Sequence, residues 1–292
     1  MVRLNLSLEL GYEVRQTPAD FVFNIHAAQT KQQNVVKEEL VISQKIPADL
    51  HTAGASRNRY LRFSAELGPL SVQYRATVDI EHHTAAPADL PEVAVADLPL
   101  DALAYVYPSR YCQSDRVGRL ANREFGNLPR GYSRVVAIRD WVTSHITFAS
   151  NTSDGTTSAV DTLISPAGVC RDFAHLMIAL CRAVNIPARF TTGIDYGADP
   201  ALGPTDFHAY VEAFLGDRWY MFDPSGTAIP MGFVRFGTGR DAADVAFATI
   251  FGAVASQVPI IGIEAVDNKA AGFLMPVHIQ EGISTDAADA SD

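Results

Sequence analysis

Three side chains in the second half of the chain have the types and the order that nucleophilic acyl chemistry requires. Cys170 stands in Gly168-Val169-Cys170-Arg171-Asp172-Phe173-Ala174-His175 and opens an apolar stretch running past Leu180. His208 follows in Asp206-Phe207-His208-Ala209-Tyr210-Val211-Glu212, and Asp223 in Arg218-Trp219-Tyr220-Met221-Phe222-Asp223-Pro224. A thiol in the first turn of a helix sits among backbone N–H groups without partners, at the positive end of the helix dipole. Both favour the thiolate, which is the nucleophilic form. A nucleophile needs a base, and the base needs an acceptor to orient it. His208 and Asp223 are the candidates for those two roles. Such a set, helped by the Cys170 N–H at the oxyanion, would attack an amide or ester carbonyl and form a thioester that water or an amine resolves.

The elements that must position these residues can be read locally. Phe207 to Leu215 alternates, which puts His208, Tyr210, Glu212 and Phe214 on one strand face. Arg218 to Asp223 alternates as well, and Gly216-Asp217 between them suits a two-residue type II′ turn. In that register Leu215 faces Arg218, Phe214 faces Trp219 and Tyr210 faces Asp223. His208 is then the diagonal neighbour of Asp223, roughly 7–8 Å away between backbones and within side-chain reach. Pro224 ends the strand just past the carboxylate. Cys170 to Val184 is apolar almost all round, as a buried helix is, and Pro187 stops it before a strand begins at Ala188. The helix tip must then meet the sheet face that carries His208.

Other reactive residues read as structural. Cys181 shares the helix with Cys170 and belongs to its core, and Cys112 reads as packing. His175 lies roughly 140° around the helix from Cys170 and points elsewhere. Asp172 is a first-turn helix charge. Gly239-Arg240-Asp241 and Asp244 read as a turn with an internal salt bridge.

The three quoted motifs resemble the transglutaminase-like superfamily, the papain-related group that uses Cys, His and Asp in that chain order. More narrowly the chain resembles a bacterial branch classed with cysteine proteases and carrying a β-rich N-terminal domain. Three further segments add to the likeness: Pro108-Ser109-Arg110-Tyr111-Cys112, Ile186-Pro187-Ala188-Arg189-Phe190, and Gly239 through Val245. Together they span about residues 100 to 266. Tyr210 and Tyr220 stand where such motifs often carry other aromatic residues, and Arg171 where Gln is common. The resemblance implies an α+β fold, in which an antiparallel sandwich-like domain precedes a papain-like core with the cysteine at a helix tip. It also implies Cys170, His208 and Asp223 as catalytic residues, a peptide or protein substrate, and either a hydrolase or a transglutaminase. Some enzymes of this group bind the oxyanion with an aromatic side chain, for which Tyr111 is the candidate here. The competing reading is a non-catalytic scaffold that uses the same cleft to hold a peptide or partner.

The chain has 292 residues, a formal charge of −10, 48% hydrophobic and 19% charged residues, a globular composition long enough for two domains. The negative balance argues against a nucleic-acid surface. The scatter of three cysteines matches no metal or disulfide framework, and no calcium-loop spacing occurs, so no cofactor or metal is expected. The free thiols and the polar interruptions at Arg3, Asn5, Ser7 and Glu9 point to a cytoplasmic protein without a signal peptide. Val245 to Ile263 carries no charge, but Gly252, Pro259 and Gly262 break it, so two buried strands joined near Ser256-Gln257 are expected there and no membrane span. The expected organisation is a β-rich domain over 1–83, an Ala/Pro-rich linker over 84–100, a catalytic domain over 101–281 and a disordered acidic tail over 282–292.

Overall fold

The computed structural model describes residues 1–54, 56–198 and 205–286. Alternation builds its first half. β1 (Val2–Val14) buries every second side chain, as does β6 (Gly68–Ile80), its antiparallel partner along its whole length. β3 (Gln33–Ile42) pairs with the far side of β6, while β2 (Ala19–Phe23), β5 (Arg59–Ala65) and β4 (Asp49–Thr52) form a second sheet. The two sheets enclose one core in which Leu8, Phe21, Phe23, Phe63 and Tyr74 are buried.

The segment expected to be a free linker is instead fastened down. β7 (His83–Ala85) is a strand, and short 3₁₀ turns cover 87–89, 95–97 and 103–105. Leu90 and Leu98 are buried, and Glu92 receives a hydrogen bond of 2.7 Å from the buried Arg134. Alanine and proline make this stretch irregular, but its leucines and Glu92 bind it to the second half.

That half begins with α1 (Ser114–Phe125) and α2 (Tyr132–His145). β8 (Thr147–Phe148), α3 (Ala159–Ile164) and β9 (Ala167–Gly168) lead into α4 (Cys170–Ala183). Every residue of α4 from Asp172 to Arg182 is buried. Arg182 tolerates this because the carbonyls of Tyr107, Ala188 and Arg240 and the Ser109 hydroxyl accept from its guanidinium. β10 (Ala188–Asp195), β11 (Phe207–Leu215), β12 (Arg218–Phe222) and β13 (Phe233–Gly239) form an antiparallel sheet in the order β12-β11-β10-β13. A helix packed on an antiparallel sheet, after a β-sandwich, is the α+β architecture expected.

The C-terminal quarter departs from the expectation. After α5 (Ala242–Val245), β14 (Ala248–Phe251) pairs with β2, while β15 (Val254–Ser256) and β16 (Ile260–Ala265) both pair with β1. These residues therefore complete the sandwich and do not belong to the second half, where the sequence reading put them. The run is three short, partly exposed strands, not two buried ones. No helix among the described residues is long and apolar enough to cross a membrane.

The tail is ordered where it is described. β17 (Gly282–Ser284) pairs with β7, Thr285 is buried, and Asp286 forms an ion pair with Arg189. The remainder of the expected disordered tail, 287–292, lies outside the described residues. The two halves also share a core, because Ile194, Val234 and Phe236 of the second sheet pack into the sandwich. Gln33 clamps β13 by bonding both the N–H and the carbonyl of Arg235, at 2.9 Å each.

Candidate active site

Local sequence fixes Cys170 at the tip of α4. Val169 is extended (φ −108°, ψ 177°), and Asp172 in the first turn reaches back to accept from the Val169 N–H at 2.9 Å. That return requires Gly168, since a Cβ there would lie 2.7 Å from the Asp172 Cβ. Asp172 also accepts from Ser153 Oγ at 2.5 Å, and Arg171 donates to the Asp154 carbonyl at 2.6 Å. The Asp172–Arg171 pair thus ties the loop at 153–154 to the helix start.

The β11–β12 hairpin has the predicted register. Leu215 pairs with Arg218, Phe214 with Trp219, and the ladder closes at Val211 and Phe222, one step before Tyr210 and Asp223. Gly216 has φ +60° and Asp217 is absent from the positive-φ residues, which is the type II′ pattern. His208 Nε2 lies 3.6 Å from Asp223 Oδ1, with both residues buried. Asp223 is itself well held. Its Oδ1 accepts from the Ser225 N–H (2.9 Å) and hydroxyl (2.6 Å), and its Oδ2 from the Thr227 N–H (3.0 Å). Burial pushes this carboxyl up, but His208 and Ser225 outweigh burial and hold it below its ordinary value. Burial likewise pulls His208 down, yet Asp195, Cys170 and Asp223 hold its imidazole well above the ordinary value.

The helix tip alone, not the body of α4, meets His208. Ala209, Val211, Ala213 and Leu215 enter the core shared with α4, whereas Tyr210 joins Met221, Phe233 and Ile283 in a separate cluster. The body of α4 therefore lies on the face opposite His208. Its tip reaches His208 around the start of β11, where Cys170 Sγ is 3.8 Å from the Phe207 carbonyl oxygen. Cys170, His208 and Phe207 line one cleft of about 620 Å³, together with Tyr111, Phe148 and Phe247. Phe207 and Phe247 stack at 4.2 Å on its wall.

Asp195 is the residue that sequence reasoning passed over. At the end of β10 it places Oδ2 3.5 Å from His208 Nδ1, and its Oδ1 accepts from the Tyr210 hydroxyl at 2.9 Å. Burial pushes its carboxyl up to about 7, against the pull of His208 and with the help of Asp223. The available signal was a lone acid closing the strand Ala188–Asp195, two residues past the glycine that faces His208.

The remaining candidates fall as follows. Tyr111 lines the cleft, but its hydroxyl donates to the Gly155 carbonyl at 2.6 Å and its ring stacks on His175 at 4.9 Å. Its proton is thereby committed away from an oxyanion. His175 is fully buried and neutral, well below its ordinary value through burial, and accepts from the Ala242 N–H at 3.1 Å. Cys112 and Cys181 are buried, and burial pushes the Cys112 thiol up to about 12. Arg240 and Asp244 form the expected salt bridge at 2.9 Å, while Asp241 accepts from the Tyr111 N–H at 2.9 Å.

The chain is similar to known proteins. Residues 119–224 match the family described as the transglutaminase-like superfamily, and residues 2–101 match the bacterial transglutaminase N-terminal domain. The crystal structure of a "Putative Cysteine Protease" from Cytophaga hutchinsonii superposes with a TM-score of 0.89 at 37% identity, covering 97% of each chain. An uncharacterized protein of Mycobacterium leprae is 34% identical over 117 residues, 38% of this chain and 42% of that protein. One from Mycobacterium tuberculosis is 29% identical over 110 residues, 34% of this chain and 35% of that protein. The alignments thus span less than half the length of these two mycobacterial relatives.

Proposed function

Because the chain belongs to the transglutaminase-like superfamily, we propose that it is a cysteine-dependent acyl-transfer enzyme acting on amide bonds of a peptide or protein, with Cys170, His208 and Asp223 as its catalytic residues. The observation that supports this most directly is the meeting of a helix-tip thiol with a buried histidine flanked by carboxylates in one cleft. Apo distances of this kind shorten when substrate binds.

In the proposed cycle the Cys170 thiolate attacks the carbonyl carbon while His208 holds the proton. Asp223 orients the imidazolium and stabilises it. The oxyanion forms at the start of α4, where the Cys170 N–H is available to it. Collapse breaks the C–N bond, His208 protonates the departing amine, and the acyl group remains on sulfur as a thioester. Water then releases the acid, or a second amine takes the acyl group. The first outcome is hydrolysis and the second transamidation.

Mass-spectrometric trapping in a cell extract tests the proposal. A covalent acyl adduct is expected on Cys170 of the native chain and not of the Cys170→Ala chain. A stable complex with an intact peptide and no adduct in either chain would replace the enzyme with a binding scaffold.

A further inference from the structure

We propose that Asp195 is a second positioning carboxylate, its charge facing the Nδ1 side of the His208 imidazole at 3.5 Å without a hydrogen bond, so that Nδ1 stays free to exchange a proton with Cys170 and the leaving amine while Asp223 holds the ring from Nε2. The inference rests on reading Cys170 and His208 as nucleophile and base. Its geometric basis is the pairing of β10 with β11. Gly193 stands directly opposite His208, so Asp195 is the diagonal neighbour on one side as Asp223 is on the other. Gly193 itself is required, because a Cβ there would lie 2.0 Å from the Val234 carbonyl oxygen. The ring is thus flanked by acids from both neighbouring strands.

Among the described residues, the surroundings leave Asp195 one partner for its charge. His208 and Tyr210 face it from β11, Cys170 from the start of α4 and Asp223 from beyond β12. From β13 the paired residue is Phe233, and the arginine of that strand, Arg235, is bound to Glu212. Among these groups His208 alone can carry the opposite charge at this position. The Asp195 side chain is 1% exposed, and its Oδ2, 3.5 Å from Nδ1, has no hydrogen-bond partner among the described residues. A carboxylate so placed is costly unless it faces a cation. The Tyr210 hydroxyl on Oδ1 fixes the plane of the carboxyl and keeps Oδ2 turned to the ring.

As an anion Asp195 favours the imidazolium of His208. It therefore prolongs, toward higher pH, the protonated form of His208 that hands its proton to a leaving amine.

The rate of Cys170 alkylation by iodoacetamide, followed by peptide mapping across acid to alkaline pH, reads this without a known substrate. Loss of the His208 proton changes the thiolate's reactivity and produces a step in the profile. In the Asp195→Asn chain that step is expected at a pH lower by ~1 unit or more. Tyr210→Phe keeps the carboxyl but removes its hydrogen bond, and should move the step in the same direction by less. A merely structural role would lower the rate evenly and leave the step in place, which overturns the proposal. His208→Ala separates the two readings. If it abolishes the step while Asp195→Asn leaves it unmoved, Asp195 loses its role and the Cys–His reading stands. If His208→Ala leaves the profile unchanged, both fall. Should Asp195→Asn fail to fold, an unmoved step in Tyr210→Phe overturns the proposal.

Discussion

One face of β11 carries two buried charge clusters that differ in how tightly they are bonded. Toward its end, Glu212 accepts from Arg189 Nε at 2.7 Å and from Arg235 at 3.0 Å. Arg189 continues to Asp286 and lies over the Trp219 ring at 4.2 Å, and Arg235 reaches the Thr285 hydroxyl at 2.9 Å. At its start, His208 sits between Asp195 and Asp223 at 3.5 and 3.6 Å, and both His208 Nε2 and Asp195 Oδ2 are buried without a hydrogen-bond partner. The first cluster is densely bonded, with only Arg235 Nε left unpaired among the described residues, and it fixes the fold, because any proton or rotation would break several charged bonds. In the second, Asp223 is well held but the His208 ring and Asp195 Oδ2 are under-bonded, so a proton on the ring is tied by few bonds. The same strand thus separates charges that hold from charges that can react.

The sharpest way to break this contrast is to remove each cluster's central member. Cys170→Ala and His208→Ala should each lower turnover of any accepted substrate by ~10⁴-fold or more, with thermal midpoints nearly unchanged. Asp223→Asn should leave a small residual rate, and combining it with His208→Ala should cost no more than His208→Ala alone. Full activity in either alanine chain would sink the mechanism.

At the other end, Glu212→Gln leaves two buried guanidinium groups short of a counter-charge and should destabilise the fold by about 3–5 kcal/mol in denaturant titration. The folded fraction should keep its intrinsic rate. A stability change below ~1 kcal/mol would mean that water or Asp286 compensates and that the densely bonded cluster does not fix the fold.

A third measurement concerns the sandwich. Burial pulls His26 and His82 each down to about 4, below the ~6.5 of an exposed histidine. The unfolded chain therefore binds protons that the folded chain refuses, so stability should fall as pH drops from ~6.5 toward 4, by up to ~1.4 kcal/mol per pH unit for each histidine. His26→Gln should flatten that slope. A slope identical to the native one would assign acid sensitivity to other groups.

The smallest effect is expected at Tyr111. Tyr111→Phe removes the bond to Gly155 but keeps the stack on His175, so a loss of ~1 kcal/mol and less than a tenfold change in rate are expected. A loss of ~10²-fold or more would restore Tyr111 as an oxyanion donor.

What the sequence made legible was local. Cys170 at the helix start, the II′ turn at Gly216-Asp217 and the His208–Asp223 diagonal each depend on residues within a few positions of one another. The side of the sheet taken by α4 does not, because it depends on which strand face finds the larger core. The return of 248–265 to β1 and β2 was hidden for a similar reason: an uncharged run announces burial or pairing but carries no address. The Ser-Thr-Asp composition after Gly282 suggested disorder, yet one strand ladder and the Arg189–Asp286 pair hold 282–286 in place. Asp195 belongs to no motif, and its meaning appears only once β10 is laid beside β11.

The pairing of β1 also sets a timetable for synthesis. β6 covers one side of β1 early, but the other side waits for Val254–Ser256 and Ile260–Ala265. On the ribosome the first strand is consequently a long, regular edge with the backbone N–H and C=O groups of one side unpaired while the helices and the second sheet are being translated. A fragment ending near residue 101 would keep that edge open permanently and should self-associate. Supplying 248–265 as a separate peptide would be the way to close it.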